Sequence, residues 1–138
     1  MKKILVLCTG NSCRSQMAEA YLRFFGQGKV LVYSAGTAPK GLHPLAVQVM
    51  LEDGMDLRGH QSESIEVYLG QPFDVVLTVC DHANEVCPVF PGGGLRVHHT
   101  FLDPAHAQGE PEEVLAVFRE VRDQIKIYAE RFIQKFLS

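Results

Sequence analysis

Ile4, Leu5, Val6 and Leu7 form an unbroken apolar run, the pattern of a strand buried on both faces, and predict a strand over 3–7. A helical pattern follows over about 14–25. Met17, Tyr21, Phe24 and Phe25 share one face, and Glu19 and Arg23 form an i,i+4 pair expected on the exposed side. Gly26 and Gly28 end this helix, and a second short strand is predicted over 30–34. Pro44 marks a helix start, with Leu45, Val49 and Met50 at helical spacing to about residue 52. A short helix is expected over 62–69, a third apolar strand over 73–79, and a weaker strand over 95–98 after Pro91 and a run of glycines. Pro111 opens a long helix to about residue 136. Its stripe is Val114, Phe118, Val121, Ile125, Tyr128, Phe132 and Phe136, with acidic residues at its start and Lys135 near its end.

Strands alternating with helices predict an α/β fold with a parallel sheet covered on both sides. Ligands of such sheets bind at the carboxyl ends of the strands. Cys8 and Cys80 each follow a strand directly, so the two thiols are expected at one edge of one sheet. A chain of 138 residues suggests one domain. The net charge of −3 gives no electrostatic support for nucleic-acid or anionic-membrane binding. The apolar runs are too short to span a bilayer, and the amino-terminal one is too short for a secretory signal, so a cytoplasmic protein is expected. Four cysteines in that setting are reactive groups or metal ligands rather than staples. The spacings from Cys8 to Cys13 and from Cys80 to Cys87 do not match the usual close pairs of zinc ligands. His98, His99 and His106 are read as surface or loop histidines.

The chemistry concentrates in Cys8-Thr9-Gly10-Asn11-Ser12-Cys13-Arg14-Ser15, at the turn from strand to helix. A thiol there faces the positive end of a helix dipole, and the turned N–H groups over 9–14 form an anion nest. Arg14 adds a full positive charge and the Ser15 hydroxyl a hydrogen-bond donor. All of these favour a nucleophilic thiolate, and the same groups bind a tetrahedral oxyanion against it. Gly10 permits tight curvature, and the Asn11 side chain can brace the loop. Cys80 and Cys87 turn this phosphatase-like site into a candidate redox enzyme. In one regular helix their seven-residue separation would span roughly 10 Å. A disulfide tolerates only about 7 Å between Cα atoms. A bend or unwinding of about 80–91 on oxidation is therefore expected.

These residues resemble the low-molecular-weight protein tyrosine phosphatase fold, and more closely the thioredoxin-coupled arsenate reductases built on it. The likeness is carried by the Cys8 loop through Gln16-Met17-Ala18-Glu19, by Tyr33-Ser34-Ala35-Gly36, and by Cys80 through Cys87-Pro88. It continues in Asp103-Pro104-Ala105 and Val121-Arg122-Asp123. The resemblance implies a single-domain, three-layer fold with a central four-stranded parallel sheet flanked by helices. It implies Cys8 as nucleophile toward arsenate, Arg14 and the loop amides as charge stabilisers, and Asp103 as general acid. It also implies a relay from Cys8 to Cys80 to Cys87, with thioredoxin restoring the thiols and no organic cofactor. Glutaredoxin remains open as donor, and a monomer is expected. Cys13 is read as a nonessential thiol or a space-filling residue, and Asp103 alone could be only a turn aspartate. Some members hold potassium beside the loop. Asn11, Glu19 and Ser34 match ligand positions there, while Gln61 and Glu63 stand where Thr and Asp are expected. A hydrolase acting on phosphotyrosine or small phosphate esters is the competing reading. Against it, Asp103-Pro104-Ala105-His106 lacks the aromatic residues such phosphatases carry after Asp-Pro.

Overall fold

A computed structural model of the chain describes residues 1–81, 90–92 and 94–138. The elements run β1 (Lys2–Cys8), α1 (Arg14–Gly26), β2 (Val30–Gly36), α2 (Pro44–Glu52), a 3-10 turn (Ile65–Tyr68), β3 (Val75–Thr78), β4 (Leu95–His98), a second 3-10 turn (Pro104–His106) and α3 (Pro111–Phe136). The strands form one sheet in the order β2-β1-β3-β4, with every pair parallel. The chain leaves the centre toward β2, returns beside β1 as β3, and then moves out to β4. The reversal lies between β1 and β3, and the crevice outside their carboxyl ends is where a parallel sheet receives ligands.

Alternation along β1 explains the layers. Ile4, Val6 and Cys8 face a large core shared by α1, α2 and α3, while Leu5 and Leu7 face a smaller core with Ala35, Phe73, Val76 and Phe90. Both faces of β1 are thus dry, as its continuous apolar run requires. Among the described residues the three α-helices all pack on the first face. The 3-10 turn, through Ile65 and Tyr68, packs against the second.

Two expected stripes shift. In α1 the buried stripe centres on Ala18, Tyr21 and Leu22, so Phe24 falls at its margin, 59% exposed and edge-on to Phe25. In α3 the buried positions are Phe118, Val121, Ile125, Ala129 and Ile133. A straight helix drifts from a seven-residue pattern, so the stripe rolls toward Ala129 and Ile133. Tyr128, Phe132 and Phe136 instead stack on one another, half-buried. The short helix expected over 62–69 is a single 3-10 turn. Among the described residues no helix is long and apolar enough to cross a membrane.

Candidate active site

Cys8 ends β1 at 2% exposure, paired across the sheet with Gly36 of β2. The loop from Thr9 to Cys13 then turns back over it and enters α1, whose N-cap is Cys13. No side chain caps that helix and no acidic residue stands in its first turn, so its positive end is left for an anion. The loop carbonyls point outward. Thr9 O accepts from Ala38 N, Gly10 O from Lys40 N and Ser12 O from His43 N, at 3.0, 3.0 and 3.2 Å. A trans peptide holds each N–H opposite the preceding carbonyl. The N–H groups of Gly10, Asn11 and Cys13 therefore face the other way, into the loop. Asn11 N donates to Cys8 Sγ at 3.3 Å, which shows that inward direction.

Asn11 braces the loop from behind. Its φ of 46° lies in the left-handed region, and it is fully buried. Hydrogen bonds hold it there. Its Oδ1 accepts from Glu63 N at 2.8 Å and from Gln16 Nε2 at 3.1 Å. Its carbonyl accepts from Ser62 Oγ at 2.6 Å and from Gln16 Nε2 at 3.1 Å. Its Nδ2 donates to Ser15 Oγ at 2.7 Å and to Ser34 Oγ at 3.0 Å. The Asn11 side chain is thus engaged behind the loop, and its backbone N–H is the group it turns toward Cys8. Gly36 makes room for the loop: a Cβ there would collide with the carbonyl oxygen of Thr9 and stand 3.0 Å from Cys8 O and Asn11 N.

The loop opens on a cavity of about 530 Å³ lined by Cys8, Thr9, Gly10, Ser12, Cys13, Arg14 and Asp103 among others. Arg14 is 3% exposed; its Nη1 donates to Phe101 O at 3.2 Å and its Nη2 stands 3.5 Å from Asp103 Oδ2. Asp103 divides its carboxylate between two roles. Oδ1 accepts from Ala105 N at 3.0 Å, the turn role, while Oδ2 faces Arg14 and lies 3.7 Å from His106 Nε2. Cys13 is a buried free thiol, and burial pushes its pKa up to about 12 against a weaker lowering by Ser12. Burial thus favours its protonated, less nucleophilic form.

The expected proximity of the second thiol follows from strand register. Leu7 pairs with Thr78, and Val79 N donates to Leu7 O at 3.0 Å, so Cys80 sits one residue past the level of Cys8 on the neighbouring strand. Cys80 is fully buried and disulfide-bonded, whereas Cys8 and Cys13 are free thiols. Cys87, and most of the 80–91 segment expected to bend on oxidation, lie outside the described residues.

The residues matching a potassium site make a closed network. Ser34 Oγ donates to Glu19 Oε1 at 2.6 Å, and Arg23 Nη2 lies 3.0 Å and His60 Nδ1 3.5 Å from Glu19 Oε2. Both oxygens of Glu19 and the Oδ1 of Asn11 thus already face N–H or O–H groups. In this arrangement Asn11, Glu19 and Ser34 do not fit a bare monovalent cation; Arg23 supplies the positive charge. Glu19 is only 12% exposed in its side chain, so its pair with Arg23 is an inner contact rather than a solvated one.

Sequence reasoning passed over Lys40, Leu42 and His43, which line the same cavity. Nothing in their pattern marks them; the three backbone hydrogen bonds to the loop carry them there. His43 also caps α2, its Nδ1 accepting from Leu45 N at 3.1 Å, and its ring lies 4.8 Å from that of Phe118.

Residues 3–137 match the low molecular weight phosphotyrosine protein phosphatase family. The chain is 49% identical over 124 residues to an arsenate reductase of Halalkalibacterium halodurans, covering 90% of this chain and 89% of that one. Among solved structures it is similar to an arsenate reductase in the phosphate-binding state, with TM-score 0.82, 36% identity and 98% of each chain covered. It is also similar to an arsenate reductase in the oxidised state, with TM-score 0.80, 34% identity and 98% of each chain covered.

Proposed function

The chain belongs to the low-molecular-weight phosphotyrosine protein phosphatase family, and we propose that within it this protein reduces arsenate to arsenite through a relay of three cysteines. The Cys8 thiolate attacks arsenic of hydrogen arsenate and forms an S–As bond, while the arsenate hydroxyl leaves as water with a proton from Asp103. Arg14 and the loop N–H groups hold the equatorial oxygens as charge develops. Cys80 then attacks Cys8 Sγ. The S–As bonding pair passes to arsenic, which leaves as arsenite two electrons richer, and a Cys8–Cys80 disulfide remains. Cys87 attacks Cys80 and frees Cys8, and a dithiol donor reduces the resulting Cys80–Cys87 bond. Thioredoxin is the proposed donor because an intramolecular disulfide suits a dithiol reductant. The proposal describes a cytoplasmic monomer.

One observation carries this reading: a disulfide-bonded Cys80 one residue past the level of a free Cys8. The names of the similar proteins support arsenate reduction as the activity. A phosphatase would use the same cradle and the same acid, and weak hydrolysis of phosphate esters is part of the proposal. Among the described residues the cavity lining contains no Phe, Tyr or Trp to grip an aryl ester, which favours a small inorganic oxyanion.

The test is NADPH consumption with arsenate, thioredoxin and thioredoxin reductase, for the wild type and for Cys8→Ser, Cys80→Ser and Cys87→Ser. The relay requires each substitution to abolish turnover. Turnover that survives Cys80→Ser or Cys87→Ser ends the proposal, and hydrolysis of an aryl phosphate lost only in Cys8→Ser, with no arsenate reduction, assigns a phosphatase instead.

A further inference from the structure

We propose that Lys40 is the steering cation of the oxyanion cavity, drawing dianionic tetrahedral oxyanions to the Cys8 loop and lowering the concentration at which they bind. This rests on the reading above for the identity of the substrate but not for the site itself.

The placement is specific. Lys40 N donates to Gly10 O at 3.0 Å, which fixes the residue across the loop. Its stem lies over Gly10: a Cβ built on that glycine would stand 3.4 Å from Lys40 Cδ and 3.7 Å from Cγ. The side chain therefore reaches over the cradle, and it lines the same cavity as Cys8, Arg14 and Asp103. Gly41, with φ of 82°, makes the turn that follows.

The charges of the cavity give Lys40 its role. Arg14 is buried, and its guanidinium already faces Asp103 and the Phe101 carbonyl. Arg14, the Asp103 carboxylate and a reacting Cys8 thiolate together carry one net negative charge. A dianion approaching these groups meets the loop N–H groups and an Arg14 already shared with Asp103, on a protein whose net charge of −3 repels it. Lys40 is exposed, and among the described residues no carboxylate forms an ion pair with it. Its charge is therefore available to the solution side of the cavity, where long-range attraction acts.

The experiment compares the wild type with Lys40→Met, which keeps the stem over Gly10, Lys40→Arg, which keeps the charge, and Lys40→Glu, which reverses it. Cys8 is alkylated with neutral iodoacetamide and with anionic iodoacetate, with inorganic phosphate as protecting ligand, at low and high NaCl. Lys40→Met is expected to lower the ratio of iodoacetate to iodoacetamide rates about three- to tenfold and to weaken phosphate protection by a similar factor. Its salt dependence flattens. Lys40→Arg restores both readouts, and Lys40→Glu moves them further. In turnover the KM for arsenate rises by the same factor in Lys40→Met, while kcat moves less than twofold. A merely structural role would move both alkylation rates together and would show in the urea midpoint. Equal rate ratios and equal phosphate protection in wild type and Lys40→Met overturn the proposal. If the wild type reduces no arsenate, the functional reading falls while the alkylation measurements still decide the role of Lys40.

Discussion

Asn11 Nδ2 donates to Ser15 Oγ at 2.7 Å, and this bond sets which way the Ser15 proton points. The Asn11 amide cannot be reversed, because its Oδ1 accepts the backbone N–H of Glu63. Ser15 Oγ, already receiving a hydrogen bond from Asn11, stands 2.9 Å from Cys8 Sγ with its own hydrogen free to donate there. The direction runs from the buried amide to the hydroxyl to the sulfur. A thiolate at Cys8 accepts from Ser15 and from Asn11 N together.

Ser15→Ala removes that donor and leaves Asn11 Nδ2 with Ser34 alone. A hydrogen bond to a charged acceptor contributes about 1.5–3 kcal/mol, so the rate of Cys8 alkylation by iodoacetamide at neutral pH is expected to fall about tenfold or more. Asn11→Ala acts on both the sulfur and the fold, because the left-handed backbone at residue 11 loses its bracing bonds. It should lower the alkylation rate and also the urea midpoint, whereas Ser15→Ala should spare the midpoint. An unchanged alkylation rate in Ser15→Ala would show that the hydroxyl does not serve the thiolate.

Gly36 predicts a different failure. Its missing side chain is where the Thr9 carbonyl passes, and backbone oxygen cannot rotate away as a side chain would. Gly36→Ala must push the loop off the end of β2. We expect a loss of about 1–3 kcal/mol in stability, read by denaturant unfolding. Phosphate protection of Cys8 should weaken as well, since the loop that moves is the one that binds. Gly28→Ala is the control: its φ is also left-handed, but nothing lies within 4 Å of the added carbon. It should cost stability without affecting phosphate.

The contrast between these residues shows what a linear reading reaches. The Cys8 loop is contiguous, so its chemistry is legible in eight adjacent residues, and β1 and β3 announce themselves by the apolar runs 4–7 and 75–77. The roles of Asn11 and Gly36 depend on the register of β1 with β2, where Cys8 pairs with Gly36. The backbone of Glu63 reaches Asn11 because Gly36 N donates to Glu63 O at 2.9 Å. Lys40 and His43 enter the site through backbone bonds that no side-chain pattern encodes. Periodicity likewise identifies a stripe without its centre, which is why Phe24 and Tyr128 were expected deeper than they lie. Asp103 was reached by resemblance; its residue type alone fits a turn, and it performs that role with its other oxygen.

The turn role of Asp103 and its proposed role as general acid separate experimentally. Asp103→Asn keeps an oxygen for Ala105 N but has no proton to give, so the turn survives and the acid is lost. A fall in kcat of about 10²–10⁴-fold is expected with little change in the unfolding midpoint. Cys8 alkylation, which needs no general acid, should persist. Asp103→Ala should lose the turn bond too and unfold earlier. If Asp103→Asn retains full turnover, Asp103 is a structural aspartate and the leaving oxygen finds its proton elsewhere.

The Cys13 thiol makes a prediction at alkaline pH. Burial raises its pKa from an ordinary 9 to about 12, outweighing the lowering by Ser12 and by Arg14. Below pH 9 both folded and unfolded chains hold this proton. Between about 9 and 12 the unfolded chain has released it while the folded chain retains it. Stability is proportional in slope to the protons bound by the unfolded state minus those bound by the native state, so it falls as pH rises across that window. Tyr21 and Tyr128, also raised chiefly by burial, act in the same direction. Urea midpoints measured from pH 8 to 10.5 should therefore decline in the wild type. Cys13→Ala removes one of these protons, and its midpoint should decline less steeply, whatever its starting value. Mass spectrometry of iodoacetamide-treated protein at pH 8 should find Cys8 modified and Cys13 intact. Parallel midpoint curves for wild type and Cys13→Ala, or alkylation of Cys13 alongside Cys8, would mean that the Cys13 thiol is not held protonated by its burial beneath the loop.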